Sequence, residues 1–350
     1  MSGKSIAINP VPVAVIELNP LLRYAFGSTI IMLVAMSLNY TLAYLTPVLA
    51  LTFLAPGAKP PTIKTTLLFL MIVAVTSMTG VLFSRFFLEY PLVFMPLLIL
   101  TIFHIYYTTS LQHMKVWFLI SLLVIPMISQ QSAQLGSVVA MNLFLNAFVA
   151  ITLVWLVYLI FPYQETTHDC KNASVAIIPS DRIRFISAGK KMLVIMPVLI
   201  SFFVFNWTKS LLVLIFISIL SMNPMFANKK AGMALIVANL GGGLAAIVAY
   251  NLLTVVTNLV FLGLLTLLTG LIFGIKLFSR KPLSMLFGTA FSTFLLILGN
   301  VTSFSGEAGE MVWTRIFQLA IVVVYLVIGF FLVNHFITAD KTELTQNGDN

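Results

Sequence analysis

Long apolar segments, separated by short polar ones, recur along nearly the whole chain. Aliphatic and aromatic residues make up 60% of its 350 positions and charged residues only 8%, and the mean hydropathy is +1.07. A surface in contact with water carries more polar side chains than this, whereas a surface in contact with lipid hydrocarbon does not. The sequence therefore predicts a polytopic membrane protein.

Charges, prolines and polar clusters divide the chain into twelve apolar segments. Six are predicted in the first half, at 23–39, 41–55, 65–84, 91–109, 115–129 and 138–161. Six follow in the second half, at 186–204, 208–222, 231–253, 255–275, 283–300 and 312–336. Crossing the hydrocarbon core takes about 20 helical residues, so the second and fifth segments of each half are expected to be tilted or incomplete. We predict an all-α membrane protein of about twelve transmembrane helices.

The positions of lysine and arginine predict the orientation. With the N-terminus inside, inner loops hold sixteen of the nineteen cations, Arg23 among them, and the outer side holds Arg85, Lys209 and Arg315. Because cytoplasmic loops carry the excess of Lys and Arg, both termini are expected to be cytoplasmic. A basic rim facing anionic lipid headgroups accounts for the formal net charge of +9 without a nucleic-acid partner.

The second and third segments of the two halves resemble each other. In the first half, a loop over 55–64 that is rich in proline and lysine leads into a helix carrying Thr76-Ser77-Met78-Thr79-Gly80. In the second half, the segment 221–230 leads into a helix carrying Asn239-Leu240-Gly241-Gly242-Gly243. Units with an even number of crossings share one orientation, so the repeats are expected to be parallel and to meet around a central site. A duplication kept only for packing is the alternative.

Two repeats define the predicted domains. They are a cytoplasmic segment 1–22, a first six-helix repeat 23–162, a basic cytoplasmic linker 163–185, a second six-helix repeat 186–337 and a cytoplasmic tail 338–350.

Three features together suggest a family. Arg23 opens the first segment, Thr46-Pro47-Val48-Leu49-Ala50 lies in the second, and a loop with proline and lysine leads into a small-residue helix in both halves. Over nearly the whole chain this pattern resembles the fusaric-acid-resistance and aromatic-acid-exporter superfamily of bacterial inner-membrane proteins. The resemblance implies efflux of aromatic and other weak acids together with a periplasmic membrane-fusion adaptor. Because only 163–182 stand where many members have a large cytoplasmic domain, the chain is similar to a compact branch.

Small and polar side chains inside apolar segments are candidates for a substrate pathway. Three consecutive glycines in the ninth segment, Gly241, Gly242 and Gly243, each weaken a helix by about 1 kcal/mol relative to alanine. Either close helix packing, as expected for Gly270 and Gly274 in the tenth segment, or an unwound turn facing the substrate would explain them. The other candidates are polar residues that either face the pathway or bond between helices: Asn239, Thr76, Ser77 and Thr79.

Lysines mark the predicted inner entrance. Lys64 in the first repeat, and Lys229 and Lys230 in the second, stand where the third segment of each repeat begins. The partial positive charge of a helix N-terminus adds to theirs, so the predicted vestibule is suited to a carboxylate. Anchoring of the helices at the membrane interface is the alternative role.

Ionisable residues inside a membrane are costly and therefore informative. None of the ten acidic residues falls in the middle of a predicted segment, whereas His104 lies in the fourth. Since histidine titrates near neutral pH, His104 is the candidate for proton coupling, with a hydrogen-bonded packing role as the alternative.

Charged residues at the outer side suggest a gate. Arg85 and Glu89, four residues apart at the end of the third segment, are predicted to form a local ion pair. Alternatively, they form an outer gate with charged residues near the last outer loop: Glu307, Glu310 and Arg315.

The motifs of common enzymes are missing from the sequence. It has no H-E-x-x-H, no G-x-S-x-G and no phosphate-binding loop ending in G-K-[ST], so we expect no catalytic residue, cofactor or metal. We predict an inner-membrane exporter of small organic anions, aromatic or weak acids, driven by protons or membrane potential. Membrane lipid and a periplasmic adaptor are the expected partners, and a homo-oligomer stays open. A scaffold without transport and a lipid-modifying membrane enzyme are the alternatives.

Overall fold

The computed structural model describes residues 18–108, 112–163, 181–205, 229–279 and 284–303, with 215, 325, 328 and 329 in addition. Ten helices occupy this part of the chain, and it contains no strand. They are α1 Leu18–Leu38, α2 Leu45–Leu54, α3 Ile63–Phe87, α4 Pro91–Tyr107, α5 Gln112–Ser129, α6 Ala133–Ile160, α7 Asp181–Phe205, α8 Lys229–Val255, α9 Leu259–Leu277 and α10 Met285–Ser303.

The all-α prediction is confirmed for the described residues, and each of the ten helices overlaps a predicted segment. Seven helices are long and apolar enough to cross a membrane, which indicates a multi-pass membrane protein. The three shorter apolar helices are α2, α4 and α5, and α2 has only ten residues. Apart from single residues, the predicted segments 208–222 and 312–336 lie outside the described part of the chain.

α1 and α7 each begin five residues earlier than predicted, because a charge was taken as a boundary. α1 begins at Leu18, so Arg23 lies more than one turn inside the helix, and its assignment to an inner loop is wrong. α7 begins at Asp181, which places Arg182 and Arg184 on its first turn rather than in the linker. Arginine is a good helix former, so these helices continue through their charged residues.

Polar residues cap three of the helices. The side-chain oxygens of Thr62, Ser132 and Asn258 accept hydrogen bonds from the backbone N–H groups of Thr65, Gln134 and Val260, respectively. Each bond satisfies one of the N–H groups that a helix leaves unpaired at its start, so α3, α6 and α9 begin where these residues stand.

The outside of the bundle is apolar, and several polar side chains are inside. On α3, an exposed stripe follows the helical period, at Ile63, Leu67, Met71, Val75, Met78, Leu82 and Phe86. A similar stripe on α8 consists of Val237, Leu240, Leu244, Val248, Leu252 and Val255. Contiguous apolar faces of this length are typical of surfaces covered by lipid.

Helix packing joins the two halves of the chain. In the first half α3 lies against α5 and α6, and in the second α8 lies against α10; α9 packs along α1. A Cβ atom at Gly270 would lie 3.4 Å from the Cα of Ala25, and one at Gly274 would lie 2.6 Å from Cδ1 of Leu21. The expectation that Gly270 and Gly274 permit close helix contact is therefore confirmed, because α1 and α9 touch at both positions.

Candidate functional site

Buried polar side chains lie at several helix contacts among the described residues, and three of these groups contain Asn239, Asn146 or Arg23. The first lies between α8 and α10 around Asn239, the second joins α6 to the start of α2 through Asn146, and the third surrounds Arg23 near the beginning of α1. Groups of this kind are costly in lipid, so they mark helix contacts or functional sites.

Asn239 bonds between helices. Its side chain is 3% exposed, its Nδ2 donates to the carbonyl oxygen of Leu235 at 2.7 Å, and its Oδ1 accepts from Thr293 Oγ1 on α10. Of the two roles predicted for Asn239, the structure shows the interhelical hydrogen bond. Thr293 was missed in the sequence, since a single threonine in an apolar helix has no distinguishing pattern.

The glycine run lies within a continuous helix. α8 extends from Lys229 to Val255, so the unwound turn is not formed. A Cβ atom at Gly242 would lie 2.1 Å from the carbonyl oxygen of Ala290, whereas one at Gly241 would meet nothing within 4 Å. Gly243 is in ordinary contact range of Ile297. Close packing accordingly explains Gly242, and the other two glycines do not share its contact.

The first half contains a corresponding contact between α3 and α5. A Cβ atom at Gly80 would lie 2.8 Å from the carbonyl oxygen of Ser121. Ser77 stands three residues before Gly80, as Asn239 stands three residues before Gly242. The hydroxyls of Ser77 and Ser121 are both buried without a hydrogen-bond partner. The two halves thus place a polar residue and a contact glycine at the same spacing.

The other two polar candidates on α3 bond within their own helix. Thr76 Oγ1 donates to the carbonyl oxygen of Val73 at 3.1 Å, and Thr79 Oγ1 donates to that of Val75 at 2.8 Å. Thr76 is buried, whereas Thr79 is half-buried. The Ser77 and Asn239 groups lie in two separate helix pairs, α3–α5 and α8–α10.

Asn146 on α6 holds the connection between α1 and α2. Its Oδ1 accepts from Thr46 Oγ1 at 2.8 Å, and its Nδ2 donates to the carbonyl oxygens of Thr41 at 3.2 Å and Asn142 at 2.7 Å. Since Thr46 gives its hydrogen to Asn146, the hydroxyl of Tyr40 donates to Thr46 Oγ1. Burial raises the pKa of Tyr40 above its ordinary value, which keeps this donor protonated. Sequence reasoning missed the network.

Arg23 is buried beside two tyrosine rings. Its side chain is 3% exposed, and its Cζ lies 4.6 Å from the ring centroid of Tyr158 and 5.8 Å from that of Tyr163. The Tyr158 hydroxyl lies within hydrogen-bonding distance of the carbonyl oxygens of Phe53, at 2.9 Å, and Ala58, at 3.1 Å. Arg23 was not predicted as a site residue. The sequence feature that could have identified it is a cation at the beginning of an apolar segment.

The predicted entrance lysines stand at helix starts. Lys64 is exposed on the first turn of α3, and Lys229 and Lys230 are the first residues of α8. Each of the three lysines therefore stands at the beginning of a helix, as the sequence predicted.

His104 lies at a helix end. It stands in the last turn of α4, its side chain is exposed, and its carbonyl oxygen accepts from the backbone N–H of Thr108 at 3.0 Å. Several cations lie around this end of the helix: Lys115 donates to the carbonyl oxygen of Thr108, and the Cζ of Arg184 lies 5.3 Å from the ring centroid of Tyr107. His104 therefore lies within α4, as the sequence predicted, but in the last turn of that helix.

The predicted outer ion pair is not formed. Arg85 and Glu89 are both exposed, and within the described ranges the one ion pair joins Arg184 and Asp181. Because α3 ends at Phe87, Glu89 lies beyond the helix and the i, i+4 geometry does not apply. The remaining gate candidates, Glu307, Glu310 and Arg315, lie outside the described residues.

A family model matches the first half of the chain. Residues 20–160 match the family described as "Protein of unknown function (DUF2955)", and these residues comprise nearly all of α1 through α6. No curated protein matches the chain, and no solved structure matches it either.

Proposed function

We propose that the chain is an efflux transporter for small organic anions, aromatic or weak acids, in the bacterial inner membrane, working with a periplasmic membrane-fusion adaptor. One observation carries the proposal: an arginine and several amides and hydroxyls are buried at helix contacts in a bundle with an apolar exterior. Charged residues inside such bundles mark ion and substrate pathways. A buried cation favours an anionic substrate, and the resemblance to aromatic-acid exporters supports the same class.

The finer architecture of the proposal is two parallel six-helix repeats, twelve transmembrane helices in all, with both termini in the cytoplasm. The matched spacing of Ser77 and Gly80 in α3 and of Asn239 and Gly242 in α8 supports the repeat, since each glycine meets a backbone carbonyl of a neighbouring helix. The family match, which ends at α6, supports the same boundary. The excess of cations on one side supports the orientation.

Cysteine labelling tests the orientation at the two ends of one helix. Lys59 and Glu89 are exposed in the loops before and after α3. In a Cys170→Ser background, we expect Lys59→Cys to react in intact cells only with a membrane-permeant thiol reagent and Glu89→Cys to react with an impermeant one. Permeabilised cells provide the control, in which both positions label. Impermeant labelling at position 59 of intact cells would overturn the orientation.

Transport assays with everted membrane vesicles test the function. We expect vesicles containing the protein to accumulate several-fold more radiolabelled benzoate than empty vesicles when a pH gradient or a membrane potential is imposed. Asn239→Ala should reduce this accumulation several-fold at an unchanged protein level, because the pathway loses its amide. Thr293→Val is the matched control, since it removes the same interhelical hydrogen bond and keeps the amide.

The outcomes separate the roles. If Thr293→Val lowers accumulation as much as Asn239→Ala, Asn239 acts only through the helix contact and is not part of the substrate pathway. If the parent vesicles accumulate no more benzoate than empty ones, the scaffold alternative is favoured.

His104 is the candidate proton carrier in this proposal. Vesicles with His104→Gln should therefore lose the benzoate accumulation that a pH gradient drives in the parent. If they respond to the pH gradient as the parent does, the driving force is assigned to the membrane potential acting on the anion.

A further inference from the structure

We infer that Arg23 binds the carboxylate of the substrate anion, in a site formed where the beginning of α1 meets Tyr158 near the end of α6 and Tyr163 three residues beyond it. This inference rests on the proposed transport of organic anions and names the residue that recognises them. The ligand class is an aromatic monocarboxylate.

The structure holds the guanidinium in place. Arg23 is the sixth residue of α1 and is 97% buried, since only 3% of it is exposed. The ring beside it is itself fixed, because the Tyr158 hydroxyl is within hydrogen-bonding distance of the carbonyl oxygens of Phe53 at the end of α2 and of Ala58 in the following loop. A long cationic side chain near a helix end ordinarily extends toward water, and Arg23 does not.

The surroundings described for Arg23 do not balance its charge. Its Nε is buried and has no hydrogen-bond partner. In the part of the chain that the structure describes, no carboxylate is within ion-pair distance of Arg23, since Asp181 and Arg184 form the one ion pair there. A cation over an aromatic ring gains about 0.5–2 kcal/mol, whereas burial of an ion costs several kcal/mol. Among the described residues, no anion therefore offsets the cost of burying the guanidinium.

The geometry suits an aromatic acid. A guanidinium presents a planar fork of N–H donors, which matches the two oxygens of a carboxylate. The rings of Tyr158 and Tyr163 lie within 5.8 Å of the cation and offer flat apolar surfaces to the rest of the ligand.

Binding of radiolabelled benzoate to the purified full chain in lipid nanodiscs tests the inference. We expect Arg23→Gln to weaken benzoate binding at least about tenfold, because a charge-assisted hydrogen bond is lost, and Arg23→Lys to weaken it less, since the charge remains without the fork. Lys59→Gln is the matched control: it removes the same charge from an exposed loop and should change the affinity by no more than about twofold, as expected for a screened surface charge. Benzyl alcohol, which has no carboxylate, should not compete.

Thermal unfolding of each variant shows whether it is folded. A folded Arg23→Gln protein with the parent's affinity for benzoate overturns the inference. If Arg23→Gln does not fold, Arg23→Lys decides: parental affinity in that variant would assign Arg23 a structural role and likewise overturn the inference. Competition by benzyl alcohol would show that the carboxylate is not recognised. If the parent neither binds nor accumulates benzoate, the proposed function fails as well, whereas parental transport by a folded Arg23→Gln protein refutes only the role of Arg23.

Discussion

Replacement of Gly242 by alanine is expected to lower the free energy of unfolding by about 1–3 kcal/mol, the usual cost of overpacking, and replacement by leucine is expected to abolish function. The added Cβ would lie 2.1 Å from the carbonyl oxygen of Ala290. That atom belongs to the backbone of α10 and cannot rotate away, so the two helices must separate. Thermal unfolding of the purified protein in detergent measures the effect as a decrease in Tm.

The neighbouring glycine provides the control. A Cβ at Gly241 meets nothing within 4 Å, so Gly241→Ala should leave Tm unchanged or raise it, because alanine favours a helix over glycine by up to about 1 kcal/mol. Gly80→Ala should fall between the two, since its Cβ would lie 2.8 Å from the carbonyl oxygen of Ser121. A Gly242→Ala protein as stable as the Gly241→Ala protein would show that α8 and α10 are farther apart than the structure has them.

Asn146→Leu is expected to destabilise the protein by about 2 kcal/mol, near the upper range for hydrogen bonds between membrane helices. Asn146 is fully buried, and its amide bonds to Thr46 and to the backbone of Thr41. Leucine would leave both of these groups without their partner, which costs more than the loss of an exposed hydrogen bond. The measurement is again Tm, together with the yield of monodisperse protein.

Asn142 provides a control one turn earlier on the same helix. It is half-buried, and its Nδ2 donates only to the carbonyl oxygen of Val138 at 2.8 Å. Asn142→Leu should leave Tm unchanged or raise it, because it removes an amide from an apolar exterior. Equal losses in the two variants would mean that α6 tolerates no leucine in this region for reasons unrelated to the Asn146 network.

The Asn146 network also stabilises an unusual turn. Between α1 and α2, Asn39 and Leu42 have φ values of 46° and 64°, a backbone region that a leucine seldom adopts. Thr41, whose carbonyl oxygen accepts the hydrogen bond from Asn146, stands between these two residues in the sequence. The network therefore holds the start of α2 against α6, while Tyr158 holds its end through the carbonyl of Phe53.

Stability and anion binding are separated along α6. Asn146 and Tyr158 are twelve residues apart, which is about 18 Å along a helix. Substitutions around Asn146 should therefore act mainly on Tm, and substitutions around Arg23 mainly on benzoate affinity. This separation makes the two sets of experiments independent of each other.

The sequence by itself determined the class of fold. Backbone N–H and C=O groups in hydrocarbon must bond within their own segment, so long apolar segments form helices whatever their neighbours are. Each of the ten helices overlaps a predicted segment for this reason. The contact glycine Gly242 was among the candidates as well, because three glycines in an apolar helix are costly unless one of them serves close packing.

Only the tertiary structure decided which polar side chains are buried. Asn142 and Asn146 are the same residue type one turn apart in the same apolar helix, yet Asn142 is only half-buried and Asn146 is fully buried. Arg23 was assigned to a loop by its charge, and α6 buries it. The sequence of one helix specifies which residues share a face, but which face is covered depends on where α2 and α6 pack, and those contacts join residues about one hundred positions apart.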